Sequence, residues 1–116
     1  MDEYGQFTNN KEDYATLAQQ LLINKSILFP YTDSEDGATS YNICISKFKK
    51  IGTLSWGGNP SGYMVSIIKI GAFWFKFEKE FYSDYVSEKL NLSEYGAKSV
   101  CKLLNGIREE LNNALQ

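Results

Sequence analysis

The chain has 116 residues, a formal net charge of −2, 43% hydrophobic residues and 22% charged residues. This balance excludes an intrinsically disordered chain, and the length fits one domain with one core. A net charge so close to zero also excludes a global positive field for collecting nucleic acid, so such binding would need a local basic patch. We therefore expect a single domain over residues 1–116.

The first elements in chain order are a polar segment and an amphipathic helix. Residues 1–9 are polar and predict a loose tail. Asn10 is a typical helix N-cap with Asp13 as its capping partner, which predicts a helix over residues 11–24. Apolar residues at helical spacing predict one buried stripe, formed by Tyr14, Leu17, Ala18, Leu21 and Leu22. The N-terminal residues lack the basic and apolar regions of a signal peptide, and no apolar run has the roughly 20 residues of a membrane helix, so we expect a cytoplasmic location.

A run of strands follows the first helix. Residues 27–29 are apolar and are stopped by Pro30, which predicts a short edge strand. Alternation of apolar and polar residues then predicts strands over residues 41–46, 53–57, 62–70 and 72–79. The last of these places Phe73, Phe75 and Phe77 on one face, which we expect to be central to the core.

Two helices complete the chain and define the predicted fold class. Ser83 and Ser93 predict the N-caps of helices over residues 84–90 and 94–114. The second helix carries an apolar stripe formed by Ala97, Val100, Cys101, Leu104, Ile107, Leu111 and Ala114. Together the elements predict an α+β fold: an antiparallel sheet of four to five strands over residues 27–79, packed in a two-layer sandwich with one N-terminal and two C-terminal helices.

The residue types present leave little catalytic chemistry. The chain contains no histidine, which removes the usual general base, the usual zinc ligand and the usual activator of a nucleophilic Ser or Cys. Cys44 and Cys101 stand at core-like positions and predict two buried thiols rather than a disulfide. A calcium loop over residues 32–43 fails because Ile43 replaces its last glutamate. We therefore expect no catalytic residues, metal or cofactor, and no enzyme; carboxylate-only catalysis stays open.

The segment where the sheet leads into the C-terminal helices mixes acidic and aromatic residues. Aromatic side chains rimmed by charge are typical of protein interfaces. The candidate protein-interaction residues are Glu78, Glu80, Phe81, Tyr82, Asp84 and Tyr85. The competing interpretation places Phe81 and Tyr85 in the core and makes the acids a solvated helix start.

Two alternative binding surfaces lie in the predicted sheet. Lysine and tryptophan side chains on one sheet face are typical of platforms for single-stranded nucleic acid, and here they would be Lys47, Lys69, Trp74 and Lys76. The glycine-rich residues 57–62 lack the ending of a phosphate-binding loop and lead into a strand, so a long hairpin connection is the simpler interpretation. If this loop binds a nucleotide or other small ligand, Trp56, Asn59 and Tyr63 would supply its contacts.

These features favour a non-catalytic protein that works by occupying a partner protein's surface. Lysine outnumbers arginine eleven to one, and isoleucine, asparagine and tyrosine are abundant, as in chains encoded by AT-rich genomes. A small lysine-rich chain of this kind resembles accessory proteins of phages and mobile elements. Inhibitors of bacterial defence systems, including anti-CRISPR proteins, are a known class among them. The resemblance implies a cytoplasmic inhibitor with a protein partner, and an uncovered sheet edge would also favour a homodimer.

Overall fold

A computed structural model describes residues 1–3, 5–32, 40–46, 56–59, 62–65, 81–90 and 92–114. Its elements in chain order are α1 (Lys11–Ile23), β1 (Ser26–Thr32), β2 (Ser40–Ser46), β3 (Trp56–Asn59), β4 (Gly62–Val65), α2 (Ser83–Leu90) and α3 (Glu94–Ala114). The predicted α+β class is confirmed. The loop at 33–37 and the strand predicted over 72–79 lie outside the described residues. Among the helices described, none is both long and apolar enough to cross a membrane.

The strands form two antiparallel ladders. β1 pairs with β2 from Ser26–Ser46 to Thr32–Ser40, and β3 pairs with β4 from Trp56–Val65 to Asn59–Gly62. The predicted sheet of four to five strands is not confirmed, since the described strands form two separate pairs. β3 and β4 pair antiparallel, as the hairpin connection predicted at residues 57–62 requires, but the ladder runs to the Asn59–Gly62 pair, so β3 extends two residues beyond the predicted strand end at Gly57.

β1 does not stop at Pro30 as predicted, but continues to Thr32. The Pro30 carbonyl accepts a hydrogen bond from the Phe7 amide at 2.9 Å, and the Thr32 amide donates to the Phe7 carbonyl at 3.0 Å. Positions 30 and 32 therefore direct their backbone groups away from β2. Because proline at this position removes no donor from the β1–β2 ladder, the strand continues through it.

Residues 1–9 are not the loose tail that their polarity predicted. Phe7 is buried, forms a β-bridge with Tyr31 and packs its ring edge-to-face on Phe29 with centroids 5.5 Å apart. The Asn9 side-chain nitrogen donates to the Tyr31 hydroxyl at 2.6 Å, and the Met1 ammonium pairs with Asp13. One buried aromatic ring and these polar contacts fix the segment against the rest of the structure.

The helices and the β1–β2 ladder share one apolar core. α1 and α2 each pack against α3, and α1 also contacts β1. The buried side chains on the inner face of the first ladder are Ile27, Phe29, Tyr31, Ile43 and Ile45. The predicted caps are confirmed at Asn10, which accepts from the Asp13 amide at 2.8 Å, and at Ser93, which accepts from the Gly96 amide at 3.2 Å. The predicted stripe of α3 is buried except for Ala114, which is exposed at the helix end.

Candidate functional site

α2 is a short helix with one buried and one exposed side. Val86 and Leu90, one turn apart, are fully buried and hold the helix on the core. On the exposed side, Tyr82 and Tyr85 retain 65% and 43% of their accessible surface. Large aromatic side chains with this exposure are candidates for contact with another molecule.

Two carboxylates accompany these tyrosines. Asp84 and Glu88 are exposed and stand four residues apart, which places them on neighbouring turns of one helix side. Neither forms an ion pair within the part of the chain that the structure describes. We call the set Tyr82, Asp84, Tyr85 and Glu88 the acidic–aromatic surface of α2.

The start of α2 is fixed by side chains of α3. The Asn105 carboxamide bonds both backbone groups of Phe81: it accepts from the amide at 2.6 Å and donates to the carbonyl at 2.9 Å. The Cys101 thiol donates to the same carbonyl at 2.7 Å. At the other end of α2, the Ser87 hydroxyl donates to the Leu92 carbonyl at 2.8 Å. Both ends of the helix are therefore tied down, so its exposed side is presented in a defined orientation.

The predicted interaction residues divide into three groups. Tyr82, Asp84 and Tyr85 are exposed on α2, whereas Glu78 and Glu80 lie outside the described residues. Phe81 was predicted to contact a partner and does not qualify, because only 9% of its surface is exposed and it belongs to the core. Glu88 was missed; its position one turn after Asp84 on a predicted helix was the signal that could have found it.

No family model, curated protein or solved structure matches the chain. Its site must therefore be judged from the chemistry of its own side chains. By that measure the acidic–aromatic surface of α2 is the candidate site, because it combines exposed aromatic rings with exposed carboxylates.

The structure describes no side-chain contacts for the alternative binding residues. Lys47, Lys69, Trp74 and Lys76, proposed for nucleic acid, lie outside the described residues. For the proposed ligand loop, the backbone register places Trp56 opposite Val65, Tyr63 opposite Gly58 and Asn59 opposite Gly62. Both alternatives stay predictions.

Among the described residues, Asp13 and Tyr14 in α1 have shifted pKa values. Burial, and then the charge of Asp13, raises the pKa of Tyr14 to about 12. Its protonated hydroxyl donates to the Asn9 side-chain oxygen at 2.7 Å. Asn9 in turn bonds Tyr31 and the Ser99 carbonyl, so the four residues join the N-terminal segment, α1, β1 and α3. This network is a structural connection between these elements.

The two cysteines differ in burial. Both are free thiols; Cys101 is buried as predicted, whereas Cys44 is only half-buried. Cys44 lies opposite Leu28 in the β1–β2 ladder, and Leu28 is largely exposed. Because side chains alternate along a strand, this pair occupies the face opposite Ile43 and Ile45, so the core-like prediction for Cys44 is wrong. Within the described residues, no three His, Cys, Asp or Glu side chains are grouped to hold a metal ion.

A groove between α1 and α3 is a poor ligand site. Its volume is about 270 Å³, and it is lined by Ala15, Ala18, Gln19, Glu110, Asn113 and Ala114. Small-molecule pockets are usually about 300–1,000 Å³ and contain convergent polar groups. The groove falls below that size, and its lining contains one charged residue, so we assign it no ligand.

Proposed function

We propose that this chain is a non-catalytic binding protein that occupies the surface of a protein partner through α2. The observation that carries the proposal is the acidic–aromatic surface, whose two tyrosines are 65% and 43% exposed on a helix tied down at both ends. Aromatic side chains supply much of the binding energy at protein interfaces, and prior rigidity reduces the cost of association.

The charges of this surface define the chemistry of the partner. Asp84 and Glu88 would attract lysine and arginine side chains, and the rings of Tyr82 and Tyr85 can stack against a guanidinium group. Surfaces rich in lysine and arginine are typical of nucleic-acid-binding proteins. The partner of α2 is therefore a protein with an exposed basic surface.

The proposal extends to the biological role. A small lysine-rich chain that covers a basic surface suits an inhibitor of a bacterial defence nuclease, acting in the cytoplasm and encoded by a phage or mobile element. It would act by competing with nucleic acid for the nuclease surface. Support for this role comes from size, composition and the charge of α2.

A cleavage assay tests the inhibitory role. Purified RNA-guided nucleases and restriction endonucleases would be incubated with an excess of the chain before DNA is added. We expect slower cleavage by at least one of these enzymes and restored cleavage when the D84K/E88K variant replaces the natural chain, because the variant reverses the charge that complements a basic surface.

The matched control for this assay is E3K/E12K, which changes two exposed glutamates by the same total charge elsewhere on the molecule. It should inhibit like the natural chain. Full cleavage by every enzyme of the panel, or equal inhibition by D84K/E88K and the natural chain, would contradict the proposed role.

The arrangement of the two ladders also supports a proposal about the sheet. β4 lies beside β2, although no ladder joins the two strands among the described residues. We propose that both pairs belong to one antiparallel sheet of at least four strands.

A further inference from the structure

The exposed side of the α2–α3 helical pair carries charges of both signs at the same spacing. Asp84 and Glu88 are exposed on α2, and Lys98 and Lys102 are exposed on α3, in each case four residues apart. Lys98 contacts Glu94 at 3.5 Å, whereas Lys102, Asp84 and Glu88 form no ion pair among the described residues. Ion pairs as exposed as Glu94–Lys98 contribute little to stability, so this pair can readily be exchanged for another.

The two helices are antiparallel neighbours. Phe81, just before α2, is bonded to Cys101 and Asn105 in the middle of α3, while a short turn joins the end of α2 to the start of α3. α2 therefore lies along the first half of α3. The exposed acidic pair and the exposed lysine pair therefore lie on adjacent helices, and α3 also carries the half-exposed ring of Tyr95.

A surface of this kind is complementary to itself. In a two-fold dimer, residues on one patch meet the same patch of the second copy, so α2 of each copy can face α3 of the other. Both charged pairs span one helical turn, about 5–6 Å, so the two carboxylates can meet the two ammonium groups at once. The symmetry forms this set of contacts twice, with the tyrosines of both helices between them.

We propose that the α2–α3 surface binds a second copy of this chain in a two-fold homodimer, with Asp84 and Glu88 of each copy facing Lys98 and Lys102 of the other. The contact area of two short helical segments is small, so the dissociation constant is expected in the micromolar range. The dimer covers the acidic–aromatic surface, so a basic partner would have to displace the second copy. Self-association does not depend on the proposed function.

Sedimentation velocity of the full chain from about 1 to 300 µM tests the dimer, since this range brackets a micromolar equilibrium. We expect the natural chain to pass from monomer to dimer. D84K/E88K and K98E/K102E should each raise the dissociation constant by roughly 30-fold or more, because each places like charges across the interface. An equimolar mixture of these two variants should associate again, since one is now basic and the other acidic on both helices.

Matched controls distinguish the loss of interface contacts from a change in net charge. E3K/E12K and K11E/K25E change the same numbers of exposed charges outside α2 and α3, and each should dimerise like the natural chain. Rescue by mixing cannot arise from variants that fail to fold, and circular dichroism of each variant provides a second check. A natural chain that stays monomeric across the range would overturn the proposal, as would charge reversals that affect association no more than the controls. A monomer that still inhibits a nuclease would remove the dimer and leave the proposed function intact.

Discussion

Replacing Gly106 with alanine is expected to destabilise the protein by about 2 kcal/mol, although this substitution inside a helix normally stabilises by about 1 kcal/mol. The reversal follows from the contact between α3 and α1. A β-carbon at position 106 would lie 2.6 Å from Cζ of Tyr14 and closer still to Cδ2 and Cε2. The ring cannot move aside freely, because its hydroxyl is bonded to Asn9 at 2.7 Å. Urea unfolding of the natural chain and G106A measures the difference.

A double-mutant comparison isolates the Tyr14 contact. In a Tyr14→Ala background the ring is absent, so G106A should regain its usual stabilising effect of about 1 kcal/mol from helix propensity. The change of sign between the two backgrounds is the expected result. If G106A stabilises the natural chain as well, Tyr14 does not pack on Gly106 and the α1–α3 contact described above is wrong.

Replacing Asp13 with asparagine is expected to cost about 3 kcal/mol at neutral pH, since hydrogen bonds to a charged group are each worth about 1.5–3 kcal/mol. Only 2% of the Asp13 surface is exposed. Its carboxylate accepts from the Met1 ammonium, from the Thr8 amide at 2.8 Å and from the Asn10 side chain at 3.2 Å. Asparagine removes the charge and places an amide group among these donors. Glu12→Gln, an exposed neighbour in the same helical turn, is the control and should change stability little.

The stability lost when asparagine replaces Asp13 should be complete at neutral pH and should disappear at acidic pH. Burial alone raises the pKa of Asp13, but hydrogen bonds from the Met1 ammonium and Thr8, with the ammonium charge, outweigh it and lower the pKa. The contribution of Asp13 is therefore complete above the unfolded-state pKa of about 4 and disappears as pH falls through the lower folded-state pKa. Urea unfolding between about pH 6 and pH 2 should show the natural chain and D13N converging in stability at the acidic end. A gap that is constant with pH would contradict this account.

The helices were predictable because their signals are local. For α1 and α3, cap residues and apolar spacing within one segment determine the bounds, and the structure ends α3 at Ala114 as predicted. The path of the N-terminal segment was not predictable in this way. Its apolar anchor is Phe7, whose partners Phe29 and Tyr31 come more than twenty residues later. Likewise, the continuation of β1 past Pro30 depends on which side of the strand faces β2, and that side is set by the pairing register.

The candidate site was predictable in part, because some of its signals are also local. Tyr82, Asp84 and Tyr85 form a local pattern of aromatic and acidic residues at a helix start, and all three are exposed. Phe81 is buried in the core, and its backbone is bonded on both sides by Asn105, which lies 24 residues later. Composition could not separate the buried aromatic residue from the exposed ones next to it, because burial depends on residues that are distant in the sequence.

Differential capture is the most direct test that α2 binds a protein partner. The natural chain, E3K/E12K and D84K/E88K would be immobilised at equal density and exposed to lysate of a low-GC bacterium, and retained proteins would be quantified by mass spectrometry. We expect at least one basic protein to be retained by the natural chain and by E3K/E12K but lost from D84K/E88K, and its purified form should reproduce this order of affinities. Identical retention on all three surfaces would show that α2 is not the binding surface.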